Sequence, residues 1–216
     1  MSRLVRAVIL GGVAIGLYAT AIRPRQLVWG AMPDEVDADL PGDGLVPDAD
    51  LISTRCIDID TDPRDVWPWI AQMGQGRGGL YTYDALENLL GCDMHSEERI
   101  VPEWQDVEVG DVFRLHPEIG LTVAQVRAGE ALVLLGAVPV GGTKGQAPYD
   151  FSWAFVLRDG KAGGTRLIVR ERYGYTRRWA PLLVEPVEAV SFLMTQKMLR
   201  GIRDRAERTV RSELVA

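Results

Sequence analysis

The clearest candidate for chemistry in this sequence is a carboxylate among apolar neighbours. Between Thr165 and Tyr175, alternation puts Leu167, Val169, Glu171 and Tyr173 on one face and Arg166, Ile168, Arg170 and Arg172 on the other. If the aliphatic pair faces a core, Glu171 and Tyr173 face it too. A carboxylate there must be paired or must take up a proton. Two roles fit: a salt bridge at the strand's exposed end with an arginine such as Arg127, or a polar anchor inside a pocket. Acid–base catalysis needs a second group titrating near neutrality, and Tyr173 does not supply it. The run Tyr149–Leu157 places Phe151, Trp153, Phe155 and Leu157 on one face. Such a stripe suits core packing and the wall of an apolar pocket equally.

Other groupings carry less. Gly74-x-Gly76-x-Gly78-Gly79 has the look of a phosphate loop, but it follows a helical pattern where a dinucleotide fingerprint needs a strand. It reads instead as a loop over a cavity mouth, with Arg77 either in solvent or offering a cation to an anionic ligand head. Tyr81, Tyr83, Asp84, Glu87 and Asn88 form a polar cluster. Asp84, Glu87 and Asn88 share one helical face, opposite Leu86, Leu89 and Leu90, and that face reads as solvated surface. His95, Glu98, Glu103 and His116 lack metal-ligand spacing, so neither a metal nor a cofactor is expected. No nucleophile elbow is present, and Cys56 has no His beside it in sequence. Cys56 and Cys92 read as two unrelated free thiols.

These residues sit on a regular series of elements. Thr54–Asp60 alternates, with Arg55, Ile57 and Ile59 on one face. Asp62-Pro63 starts a helix over 64–73, with Val66, Trp69, Ile70 and Met73 at helical spacing. A short helix over 83–90 ends at Gly91. Strands over 111–115, 121–127, 131–137, 149–157 and 165–175, separated by turn signals, predict an antiparallel meander. A long helix closes the chain from about 185 to 213, with Pro186 in its first turn. It carries Val190, Met194, Met198, Ile202, Ala206 and Val210 at four-residue spacing, and its first half is apolar nearly all round.

Ahead of this domain, residues 7–22 are sixteen residues without a charge, bracketed by Arg3 and Arg6 and by Arg23 and Arg25. Sixteen helical residues rise only about 24 Å against a hydrocarbon core of about 30 Å, so a span needs the arginines to snorkel. Residues 1–27 therefore read as a membrane anchor. The alternatives are a secretory signal cleaved near Ala19-Thr20-Ala21 and a packed or interfacial helix. Residues 28–50, rich in Asp, Pro and Gly and without a base after residue 32, read as an extended acidic connector. Residues 51–216 form the domain. A net charge of −6 argues against nucleic acid as a partner.

The order of elements resembles the α+β helix-grip fold of the START, pollen-allergen and polyketide-cyclase (SRPBCC) superfamily. The runs Val66-Trp67-Pro68-Trp69-Ile70-Ala71-Gln72-Met73-Gly74, Arg77-Gly78-Gly79-Leu80-Tyr81-Thr82-Tyr83-Asp84, Leu86-Glu87-Asn88-Leu89 and Ile100-Val101-Pro102-Glu103-Trp104-Gln105 are similar to an actinobacterial branch without an assigned reaction. So are Trp29-Gly30-Ala31 and Leu40-Pro41-Gly42-Asp43, and the likeness covers about 28–212. The resemblance implies a curved antiparallel sheet around the last helix, with a cavity between them. Phe151, Trp153, Phe155, Glu171, Tyr173, Met194 and Met198 would line it, with Arg77 and Tyr81 near its mouth. The methionines suit a wall that adapts to varied apolar shapes. The expectation is a membrane-associated module binding a small hydrophobic ligand: a lipid, isoprenoid or polyketide. The alternatives are a cyclase- or dehydratase-type enzyme, and a module docking a protein partner through the apolar start of the last helix.

Overall fold

The computed structural model describes residues 16–137 and 147–213. The first part of the apolar N-terminal stretch lies outside them. Among the described residues, no helix is long and apolar enough to cross a membrane.

Tyr18–Ile22 winds as a π-helical turn into α1 (Arg23–Leu27), and α2 (Pro33–Asp37) follows. Then come β1 (Leu51–Ile59), α3 (Pro63–Ala71), α4 (Asp84–Leu89), β2 (Val112–His116), β3 (Ile119–Arg127) and β4 (Ala131–Gly136). β5 (Tyr149–Asp159), β6 (Thr165–Tyr175) and α5 (Ala180–Glu213) complete the chain. The six strands form one antiparallel sheet in the order β1-β6-β5-β4-β3-β2. The last helix lies against its inner face. This is the helix-grip arrangement.

The inner face is built by alternation. Ile57 and Ile59 of β1, Phe155 and Leu157 of β5, and Leu167 and Val169 of β6 meet Val66, Trp69, Ile70 and Met73 of α3. Met198, Leu199, Ile202 and Ala206 of α5 close that core. Asp62 caps α3 by accepting from the Arg64 amide at 2.9 Å, with Pro63 in the first turn. α5 approaches the loop between α3 and α4 so closely that a Cβ on Gly201 would lie 2.5 Å from the Tyr81 carbonyl oxygen.

Three elements depart from expectation. Residues 28–50 are not a free connector but a strap across the outer face of the sheet. Leu40 packs there with Cys56, Val133, Ala154, Val156 and Ile168. The outward arginines of β6 fasten the strap. Arg166 pairs with Glu35 at 2.7 Å, and Arg170 donates to Asp43 and to the carbonyls of Glu35, Val36 and Ala38 at 2.7–2.8 Å. Arg172 reaches the carbonyls of Val46 and Pro47. The acidity of this stretch therefore matches a basic strand.

α5 begins at Ala180, five residues before the expected start, and Pro186 lies inside it. Pro181 takes the first-turn position, where its missing N–H costs nothing. Pro186 is on the exposed side, where water reaches the carbonyl left without a donor.

α4 is turned over. Leu86, Leu89 and Leu90 are exposed, Leu89 to 81%, while Glu87 is buried and Asp84 half-buried. The loop after α4 explains this. Asp84 accepts from the Ser96 amide and hydroxyl at 2.7 and 2.6 Å, and the Asn88 side chain brackets the backbone of Met94.

Candidate functional site

Between the inner face of the sheet and the first half of α5 lies a cavity of about 460 Å³. β5 and β6 supply Phe151, Trp153, Glu171 and Tyr173, and α5 supplies Val184, Met194, Thr195 and Met198. Leu115 and Leu121 come from the far strands, and Leu80, Thr82 and Glu87 close the side nearest α4. The volume lies in the range of small-molecule sites, about 300–1,000 Å³.

The aromatic wall is continuous. Phe151 stacks obliquely on Tyr173 at 4.6 Å, Tyr149 meets Tyr173 at 5.6 Å, and Trp153 contacts Phe155 at 4.7 Å. The Trp153 indole N–H is buried and has no hydrogen-bond partner among the described residues. Burial pushes the Tyr173 phenol well above its ordinary range, so it stays protonated.

Glu171 faces the cavity but is held from behind. β1 sets Ser53 directly opposite it, and the Ser53 hydroxyl donates to Oε2 at 3.0 Å. Arg55 Nη1 donates to the same oxygen at 3.2 Å. From α5, Ser191 and Thr195 reach Oε1 at 3.3 and 3.4 Å. Arg55 is fully buried and also donates to Glu188, to the Thr195 hydroxyl and to the Gln26 carbonyl of α1 at 3.1 Å. Two buried carboxylates thus share one guanidinium. Burial raises the Glu188 carboxyl, Arg55 opposes that, and the Glu171 charge adds to it.

Glu87 is the opposite case. It is 6% exposed, lines the cavity, and its Oε2 has no hydrogen-bond partner among the described residues. Burial pushes its carboxyl up; Thr82 beside it pulls down and the Asp84 charge pushes further up.

Of the nine residues singled out from sequence, Phe151, Trp153, Glu171, Tyr173, Met194 and Met198 meet at this cavity. Phe155 lies behind Trp153 in the closed core. Arg77 does not reach the mouth: its guanidinium donates to the carbonyls of Ala71 and Trp104 and ties the glycine loop to the loop before β2. Tyr81 is buried beneath Arg205, with its hydroxyl donating to the Trp69 carbonyl and accepting from Gln72, both at 3.0 Å. Glu171 pairs with Arg55 rather than Arg127, whose partner is Glu130.

Sequence reasoning missed Arg55 and Glu87 as site residues. A signal existed for Arg55, an arginine on the face of Ile57 and Ile59 that demands a buried partner. For Glu87 the leucine stripe pointed the wrong way.

No protein-family model matches the chain. No curated protein matches it either. Solved structures that superpose on it include protein MLL2253 from Mesorhizobium loti, at 14% identity and TM-score 0.45, over 74% of this chain and 98% of that one. Hypothetical protein jhp0584 from Helicobacter pylori superposes at 11% identity and TM-score 0.46, over 78% and 95%. Ara h 8.0201 does so at 13% and 0.42, over 72% and 97%. The fold assignment rests on strand order and helix placement, not on these distant likenesses. By that standard the protein is a helix-grip protein with an apolar cavity between its sheet and last helix.

Proposed function

We propose that this protein is a membrane-associated binding module that holds a small hydrophobic ligand, of lipid, isoprenoid or polyketide type, between sheet and C-terminal helix. The cavity carries the reading. A protein interior is normally filled to crystal-like density, and about 460 Å³ of space walled by aromatics and methionines has the size and lining of a site for a small apolar molecule. Binding is favoured over a cyclase or dehydratase because the oxygens of Glu171 are occupied by Ser53, Arg55, Ser191 and Thr195. That leaves Glu87 as the open carboxyl, without a paired base.

Membrane association draws on the uncharged stretch 7–22 and its flanking arginines. Its C-terminal end meets the domain at the start of α5, where Arg23 lies 3.6 Å from Glu185. A second reading, a docked protein partner, draws on Leu182, Val187, Val190 and Leu193, which stand exposed on the same helix.

The test is titration of the full-length protein with a neutral, apolar, environment-sensitive fluorophore, beside the Met194→Trp variant. Met194 is half-buried on the cavity wall, so the larger ring fills space without displacing the core. Saturable binding that the variant loses, at an unchanged melting temperature, supports the binding module. Binding that does not saturate, or that the variant retains, contradicts it.

A further inference from the structure

The polar groups facing the cavity include no cation, and this limits what head group a ligand can bring. The inference rests on the binding reading above and concerns the same site. Among the described residues, the wall carries two carboxyls and several hydroxyls but no lysine, arginine or histidine. The nearest cation, Arg55, stands behind Glu171 and is spent on Glu171, Glu188 and the Gln26 carbonyl. An anionic head entering here would lose its water, meet no cation, and face Glu171 and Glu87. Burying an unpaired charge among like charges is among the costliest arrangements in a protein.

The two carboxyls are not equivalent. Both Glu171 oxygens already accept from Ser53, Arg55, Ser191 and Thr195. Glu87, more than nine-tenths buried, lines the cavity with one oxygen unpartnered. Thr82 lies beside Glu87 as a side-chain donor, but a buried carboxyl oxygen left unpartnered is destabilising until something donates to it. Its own helix does not help: Asp84 and Asn88 are committed to Ser96 and Met94. The missing donor is therefore one that a guest could bring.

We propose that the cavity selects amphiphiles whose head donates hydrogen bonds and carries no negative charge, a hydroxyl or an ammonium group, with the head at Glu87 and the apolar body along Phe151, Trp153 and Tyr173. Fatty-acid and phosphate heads are rejected. Glu87 is the specificity-determining residue.

The experiment compares 1-dodecanol, dodecylamine and dodecanoate on the full-length protein near neutral pH, below their self-association concentrations. Isothermal titration calorimetry reports binding, and Met194→Trp serves as the filled-cavity control for surface adsorption. The alcohol and the amine are expected to bind saturably and to be lost in the control, with dodecanoate weaker by at least about tenfold. Glu87→Gln is expected to weaken the amine by at least about tenfold while sparing the alcohol to within a few-fold. Dodecanoate binding within tenfold of dodecanol overturns the head-group selection and leaves the cavity reading intact. An amine affinity that Glu87→Gln moves by less than tenfold overturns the role of Glu87. If none of the three binds, the binding reading itself fails and this inference with it. The head-group comparison uses the unmodified chain, so it holds whatever the stability of the variant.

Discussion

Arg55 is the residue on which the site depends most. Its guanidinium joins Glu171 on the cavity wall, Glu188 and Thr195 on α5, and the carbonyl of Gln26 at the end of α1. Removing it would strand two carboxylates in the interior, and truncating one partner of a buried pair costs about 3–5 kcal/mol. Arg55→Leu should therefore lower the unfolding free energy, read from urea denaturation, by that order; a loss below about 1 kcal/mol would show that the network contributes little. Glu87 has the reverse sign. Its folded-state carboxyl titrates above its ordinary value of 4.5, chiefly through burial and with Asp84 adding to it. Its stabilising contribution is thus complete below about 4.5 and is lost as pH rises through the folded value. Glu87→Gln should match the parent at acid pH and become the more stable form toward neutrality. Parallel stability–pH curves would contradict the burial of an uncompensated acid.

The elements show what the sequence made readable and what it did not. β6 runs over the eleven residues expected of it, because Leu167 and Val169 must face the core while Arg166, Arg170 and Arg172 face away, which leaves one register. The strands β2 to β5 fall within two residues of expectation for the same reason, helped by their glycine turns. α4 was inverted. Six residues make fewer than two turns, and the stripe Leu86, Leu89, Leu90 outweighed partners that only the loop around Met94 and Ser96 provides. The strap has no periodicity, so its sequence reads as a connector; its order comes from Arg166, Arg170 and Arg172, more than a hundred residues away in sequence. This gives the strap a test. Arg170→Met removes donors to three carbonyls and to Asp43. Amide exchange should speed up selectively over residues 31–46, with a stability loss of about 2–4 kcal/mol. Uniform exchange across the sheet would mean that the strap and the domain unfold together.

At the scale of the molecule, the helix-grip arrangement was legible from element order alone, and the cavity was not. Periodicity says which side chains face inward but not whether they meet. Phe155 and Leu157 close against α3 and α5, whereas Phe151 and Trp153, on the same strand and in the same core cluster, also line the cavity. The difference follows from where the long helix crosses the sheet. Its second half brings Leu199, Ile202 and Ala206 into the core, while its first half lines the cavity with Val184, Ser191 and Met194 and leaves Leu182 exposed to 81%. A helix gripped at one end and held off at the other makes a pocket.

The most direct test is native mass spectrometry of the full-length protein as purified, repeated after organic extraction. A ligand-holding cavity predicts a reproducible extra mass that disappears on extraction, returns with a native lipid extract, and is absent from Met194→Trp. A clean apo mass before extraction and after exposure to that lipid extract would contradict the binding of a hydrophobic ligand.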